Sequence, residues 1–141
     1  MWRAEKVGIW PTAPDRRRRP PSEAGKSGHS IVGREDSDAD AAFARLAAFR
    51  DGAIFAGGFS GESAWERHAK GDELVHVLSG AAELTILTDE GPQVLEMSAG
   101  TIAVVPQGRW HRFQAPDGVT LMTATPQPTD HSLADDPRET E

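Results

Sequence analysis

From residue 53 onward, short apolar runs alternate with turn residues. The runs are Ala53–Phe59, Ser63–His68, Leu74–Leu78, Ala82–Leu87, Gln93–Met97, Thr101–Val105, Trp110–Gln114 and Val119–Thr125. The gaps hold Gly61, Gly71, Gly80, Glu90-Gly91-Pro92, Gly100, Pro106-Gln107-Gly108 and Pro116-Asp117-Gly118. Eight short strands at this spacing predict an antiparallel sandwich or barrel. Asp40 to Phe49 has a different rhythm. Phe43, Leu46, Ala47 and Phe49 follow an i, i+3, i+4 spacing, which predicts a short helix over 40–50, with Asp38 or Asp40 at its start and Gly52 at its end. Residues 1–38 lack periodicity and hold four prolines and the run Arg16–Arg19, so they read as a flexible arm. Past Pro126 the chain turns polar. The expected division is an arm at 1–38, a folded domain at 39–128 and a polar tail at 129–141, loose or hugging the surface.

Composition narrows the picture. A length of 141 residues suits one domain, and a net charge of −7 argues against a nucleic-acid partner for its body. There is no cysteine, so any metal must be held by histidine and carboxylate. The N-terminal residues lack an apolar signal core, and no apolar run approaches the ~20 residues of a membrane span. The expectation is a cytoplasmic protein without membrane or nucleic-acid partners. The arginine run reads as a solvated arm. Gly25-Lys26-Ser27 is not a phosphate loop, because Pro20 stands where that loop needs glycine. His29 has no companion in the arm and is assigned nothing.

Candidate chemistry gathers in Glu66–Gly80. On a strand, Glu66 and His68 face the same way. Ala69–Asp72 has turn composition. A hairpin there places Glu73 across from His68, with Cβ atoms roughly 5 Å apart. Imidazole and carboxylate together suit Zn, Fe, Mn, Ni or Cu; scattered on a solvated surface, the same residues would bind nothing. A second stretch, Gly100–His111, ends a strand at Val105, turns at Pro106 and Gly108, and opens the next strand near His111. If that strand lies beside the first stretch, His111 joins the cluster.

These two stretches resemble the cupin motifs. The first cupin motif runs Gly, five residues, His-x-His, three or four residues, Glu, six residues, Gly; here Glu66-Arg67-His68, Glu73 and Gly80 take those places. The second runs Gly, five residues, Pro-x-Gly, two residues, His, and Gly100, Pro106, Gly108 and His111 fill it. The resemblance covers roughly residues 53–125 and implies an all-β jelly-roll barrel that binds one divalent transition metal, Fe, Mn or Zn. Two departures stand out: Glu66 replaces the first histidine, with Gly61 in a short polar setting before it, and Ala115 replaces an asparagine. Three arrangements stay open. Glu66 joins His68, Glu73 and His111 as a fourth ligand; or those three alone form a two-histidine, one-carboxylate set, with Glu66 as general base; or the turn pattern survives without metal.

Strand parity puts Val75 and Val77 on the face of Glu73, and Arg109 and Phe113 on that of His111, so all four are expected to line the pocket or its mouth. His76, Arg67, Trp65 and Trp110 take the other face. His131 is expected in solvent. The resemblance also implies a homodimer, formed through Leu74, Leu78, Trp65 and Trp110. For function it leaves two classes: a dioxygenase-like or isomerase-like enzyme acting on a small organic molecule, or a barrel that binds or senses such a molecule without turnover.

Overall fold

The computed structural model describes residues 9–11 and 43–140. Its strands are β1 (Ile9–Pro11), β2 (Phe43–Phe49), β3 (Gly52–Glu62), β4 (Trp65–His68), β5 (Glu73–Thr88), β6 (Gly91–Ser98), β7 (Thr101–Val105), β8 (His111–Pro126) and β9 (Thr129–Ser132), followed by a short 3-10 helix, Pro137–Thr140. All pairings are antiparallel, and the main path runs β1-β7-β5-β8-β3-β2. β6 joins β5, while β4 joins both β8 and β9. The described residues form the antiparallel all-β barrel expected from the strand grammar, curled as the cupin resemblance implies. Among the described residues, no helix is long and apolar enough to cross a membrane.

Two long strands carry the curl. β5 and β8 have 16 residues each and pair along most of their length. A flat strand of that length would reach about 50 Å. Yet His111 and Thr125, near opposite ends of β8, both reach the side chain of Glu73, at 3.0 and 2.7 Å. The bend in β5 falls at Gly80, where the register against β8 shifts on either side. Before this corner β5 pairs with β7; after it, with β6. Gly80 has φ of +75°, a conformation that glycine adopts without steric cost. The enclosed core holds Val75, Val77, Leu84, Ile86, Met97, Val105, Phe113 and Leu121.

The structure corrects several sequence expectations. Residues 43–49 form strand β2, not the second half of a helix; residues 40–42 lie outside the described residues. β2 folds back on β3 through a two-residue turn, Arg50-Asp51, with Phe49 opposite Gly52. Arg50 has φ of +50°, in keeping with the primed turns that tight hairpins favour. A helix here would leave the edge of β3 without these backbone hydrogen bonds, so tertiary pairing overrides the local pattern. The predicted runs 74–78 and 82–87 are one strand, as are 110–114 and 119–125, because their glycines bend a continuous ladder instead of ending it. The polar tail does more than hug the surface: it supplies β9, paired with β4. Within the expected arm, residues 9–11 pair with β7; Arg16–Arg19 and His29 lie outside the described residues.

Trp65 and Trp110 do take the face opposite the candidate ligands. They are nonetheless buried within this chain, in a second cluster with Leu87. The Arg112 guanidinium lies 4.5 Å from the Trp65 ring centre, and that of Arg67 4.6 Å from Trp110. Cation–π contact and the arginine stems cover both rings, which removes them from the expected subunit-facing surface.

Candidate metal centre

Four donors meet at one end of the barrel interior. β4 brings Glu66 and His68, β5 begins with Glu73, and β8 begins with His111. Glu66 is directly paired with His111 across β4 and β8. The expected hairpin between β4 and β5 does not form: β4 is paired with β8 and β9, and Glu73 with Val105 of β7. Convergence comes from the curl of the sheet. The turn at Pro106–Gly108 secures it, because the Gly108 N–H donates to the His68 carbonyl at 2.9 Å. The Gln107 N–H donates to Asp72 at 2.8 Å, and its side-chain amide to the Ala69 carbonyl at 2.7 Å. Gly108 allows this turn its φ of +75°.

One potential donor atom from each of Glu66, His68, Glu73 and His111 lies within 4.8 Å of every other. Glu73 Oε2 is central, 3.0 Å from His111 Nε2 and 3.3 Å from His68 Nε2. Glu66 Oε2 is 3.9 Å from His111 Nε2. His68, Glu73 and His111 are buried; Glu66 is partly exposed. Their three central atoms are short of each other's reach in direction if not in distance. His68 Nε2, Glu73 Oε2 and His111 Nε2 are all buried without a hydrogen-bond partner of good geometry. Buried polar atoms in this state are costly. A cation held between them would satisfy all three, so the donor set fits a divalent metal.

The remaining ring and carboxylate atoms are tied down. His111 Nδ1 lies 3.3 Å from the Arg109 carbonyl, to which its N–H donates, leaving Nε2 as the donor atom. His68 Nδ1 lies 3.1 Å from Thr129 Oγ1, a hydroxyl able to accept from Nδ1–H when Nε2 serves as a metal donor. Thr125 Oγ1–H donates to Glu73 Oε1 at 2.7 Å. That spends its proton, so Thr123 donates in turn to Thr125 across 2.7 Å. Partners of this kind orient metal ligands. Electrostatics agrees. Burial pushes the Glu73 carboxyl up, but the close polar contacts with His111 and His68 and their charge outweigh it and hold the group well below its ordinary range. Burial pushes His111 down, and Glu73, then Glu66, outweigh that and raise it.

A cavity of about 390 Å³ adjoins the cluster. Phe43, Phe55, Phe59, Phe113 and Leu121 form its apolar walls, and Glu66 and Glu73 reach it. Ring contacts run from Phe43 through Phe59 and Phe113 to His111, with centres 6.3, 6.4 and 6.1 Å apart. Of the residues expected to line the pocket, Phe113 does. Val75 and Val77 have the parity expected of them but lie wholly within the packed core, because the sheet closes over that part of β5. Arg109 is turned away from the cavity and forms a two-pronged ion pair with Asp89, at 2.6 and 2.8 Å. His76 stands on the other face, paired with Ile102 and Met122. His131 is solvent-exposed as expected, but it also lines the cavity mouth, with Nε2 3.5 Å from Glu66 Oε1. The threonines at 123, 125 and 129 also went unpredicted. Only the parity shared by Leu121, Thr123 and Thr125 along β8 signalled them.

Comparison with known proteins agrees with this fold. Residues 54–123 match the family model for the Cupin domain. The fold resembles a cupin-2 domain protein from Shewanella frigidimarina, with TM-score 0.53 and 24% identity over 69% of this chain and 86% of that one. It also resembles a protein of unknown function from Streptococcus pyogenes, with TM-score 0.50 and 25% identity over 61% and 74% of the two chains. An oxalate decarboxylase aligns with TM-score 0.50 and 15% identity, over 56% of this chain and 23% of its own length, a likeness of fold alone. No curated protein matches the sequence. Residues 54–123 of the chain form a cupin domain.

Proposed function

We propose that this cupin is a metal-dependent enzyme acting on a small, largely apolar organic molecule. One observation carries the reading: the four-donor cluster borders a cavity with four phenyl rings in its wall, Phe43, Phe55, Phe59 and Phe113, beside a polar edge. His68, Glu73 and His111 are the buried ligands, and Glu66, partly exposed, is the fourth. A bound divalent metal would supply Lewis-acid polarisation of a substrate oxygen, and iron would add oxygen chemistry of the dioxygenase type. The chain's own residues supply the rest. Phe43, Phe55, Phe59 and Phe113 hold the apolar body of the substrate and keep water from it. Ser63, Gln127 and Thr129 offer hydrogen bonds to its polar edge. Thr125 and Thr129 keep Glu73 and His68 aimed, so that a substrate need not reorganise the donors.

The test is turnover. Protein loaded separately with Fe²⁺, Mn²⁺ and Zn²⁺ is incubated with a panel of small aromatic and branched acids, enols and ketones. Oxygen uptake and substrate mass are followed. The proposal expects one metal to support loss of one class of compound. Compounds that raise the melting temperature of every loaded form yet are recovered unchanged would contradict it, and would make the barrel a binding or sensing module.

A further inference from the structure

The family match ends at residue 123, but the barrel does not. β9, at Thr129–Ser132, lies against β4, the strand that carries two of the four donors. The register pairs Glu66 with His131 and His68 with Thr129. Residues directly opposed on neighbouring antiparallel strands share a face and stand close together. Each donor of β4 therefore has its own β9 side chain beside it. The contacts follow the register: Thr129 Oγ1 is 3.1 Å from His68 Nδ1, and His131 Nε2 is 3.5 Å from Glu66 Oε1. Between the two pairs, Arg67 of β4 binds Asp130 of β9 at 3.0 Å, from the other face.

We propose that β9 is an orienting strand for the metal site, with His131 the positioning residue for Glu66 and Thr129 that for His68. The proposal rests on the metal-binding reading above. Glu66 is shared between two neighbours: Oε1 faces His131, and Oε2 faces the cluster, 3.9 Å from His111 Nε2. An imidazole N–H held against Oε1 leaves Oε2 for the metal, so Glu66 acts through one oxygen and does not chelate with both. Thr129 holds the His68 ring by its Nδ1 edge, with Nε2 turned toward the other donors. This role also accounts for a four-residue polar strand with so little apolar surface to bury: its inward side chains serve the donors and not the core.

The test uses the full chain and Co²⁺ as probe. Three quantities are read: the Co²⁺ dissociation constant, the visible absorption of the bound ion, and the melting temperature of the metal-free protein. His131→Ala is expected to weaken binding about tenfold, as loss of a ligand's outer partner commonly does. It is expected to alter the absorption as Glu66 changes its binding mode, and to leave the metal-free melting temperature near that of wild type. His131→Gln, whose amide can donate to Oε1, is expected to recover most of the affinity. Thr129→Val keeps the shape and removes the hydroxyl, and is expected to weaken binding similarly. It decides the matter if His131→Ala also loosens the fold. Wild-type affinity and an unchanged spectrum in Thr129→Val and His131→Ala would overturn the role of β9 and leave the metal site standing. A wild-type protein that takes up no Co²⁺ would overturn both.

Discussion

Replacing Glu73 by glutamine is expected to abolish stoichiometric metal binding while leaving the barrel folded. Glu73 Oε2 is the atom nearest both buried imidazole donors, at 3.0 and 3.3 Å. Structural four-ligand zinc sites bind with roughly 10–16 kcal/mol, or about 3–4 kcal/mol per donor, so losing one costs on the order of a hundred- to a thousandfold in affinity. The amide has nearly the same shape, which separates loss of the ligand from loss of packing. Metal-free protein should show a second effect, dependent on pH. Glu73 is held below its ordinary value of 4.5, so it stabilises the fold above that pH and the contribution fades as pH falls toward its lowered pKa. His111 is held above its ordinary 6.5, so its contribution is complete below that pH and is lost as pH rises through the raised value. Both contributions are full only between the two ordinary values. Glu73→Gln removes both. In urea unfolding with chelator present, it should cost about 2–3 kcal/mol near pH 5.5 and clearly less near pH 8.5. An equal cost at both pH values would contradict the coupling of Glu73 to His111.

Gly80→Ala should strongly destabilise the barrel at its corner. Its backbone has φ of +75°, and an added Cβ would collide with the Gly118 carbonyl oxygen and stand 3.1 Å from the Val119 Cα. Both belong to β8, so relief requires the two long strands to separate at the corner that brings Glu73 and His111 together. Conformational strain and backbone overlap add to about 3 kcal/mol, which lowers the melting temperature by on the order of 15 °C. Gly91→Ala is the control. Gly91 has φ of +113° with open space around it, so that variant meets strain alone and should lose about 1 kcal/mol. Equal losses at the two positions would show that contact with β8 is not what makes Gly80 necessary.

The barrel was legible because each strand of the core carries its own alternation and each gap its own turn residues; Thr101–Val105 coincides with β7. The donors were legible for a related reason. Their spacings within two short stretches depend on strand parity and on the Pro106–Gly108 turn, both local properties. What depended on partners distant in sequence was not legible. The Phe43–Phe49 stretch has helical spacing, and only the exposed edge of β3 makes it a strand. Gly80 and Pro116-Asp117-Gly118 have turn composition, but in a curled sheet they bend β5 and β8 without ending them. Thr129-Asp-His-Ser shows no apolar alternation, because its inward side chains meet His68 and Glu66 instead of the core. Val75 and Val77 shared the face of Glu73 as parity required, yet a shared face does not say where a cavity ends and packed core begins.

Metal content of the purified chain tests the central claim most directly. Wild type, His68→Ala and His111→Ala would be prepared without chelator or nickel resin and measured by plasma mass spectrometry. The donor geometry predicts close to one divalent transition metal per wild-type chain and almost none in either variant, with all three folded. Wild type without metal after reconstitution, or variants that retain the wild-type amount, would contradict the assignment of Glu66, His68, Glu73 and His111 as a metal centre.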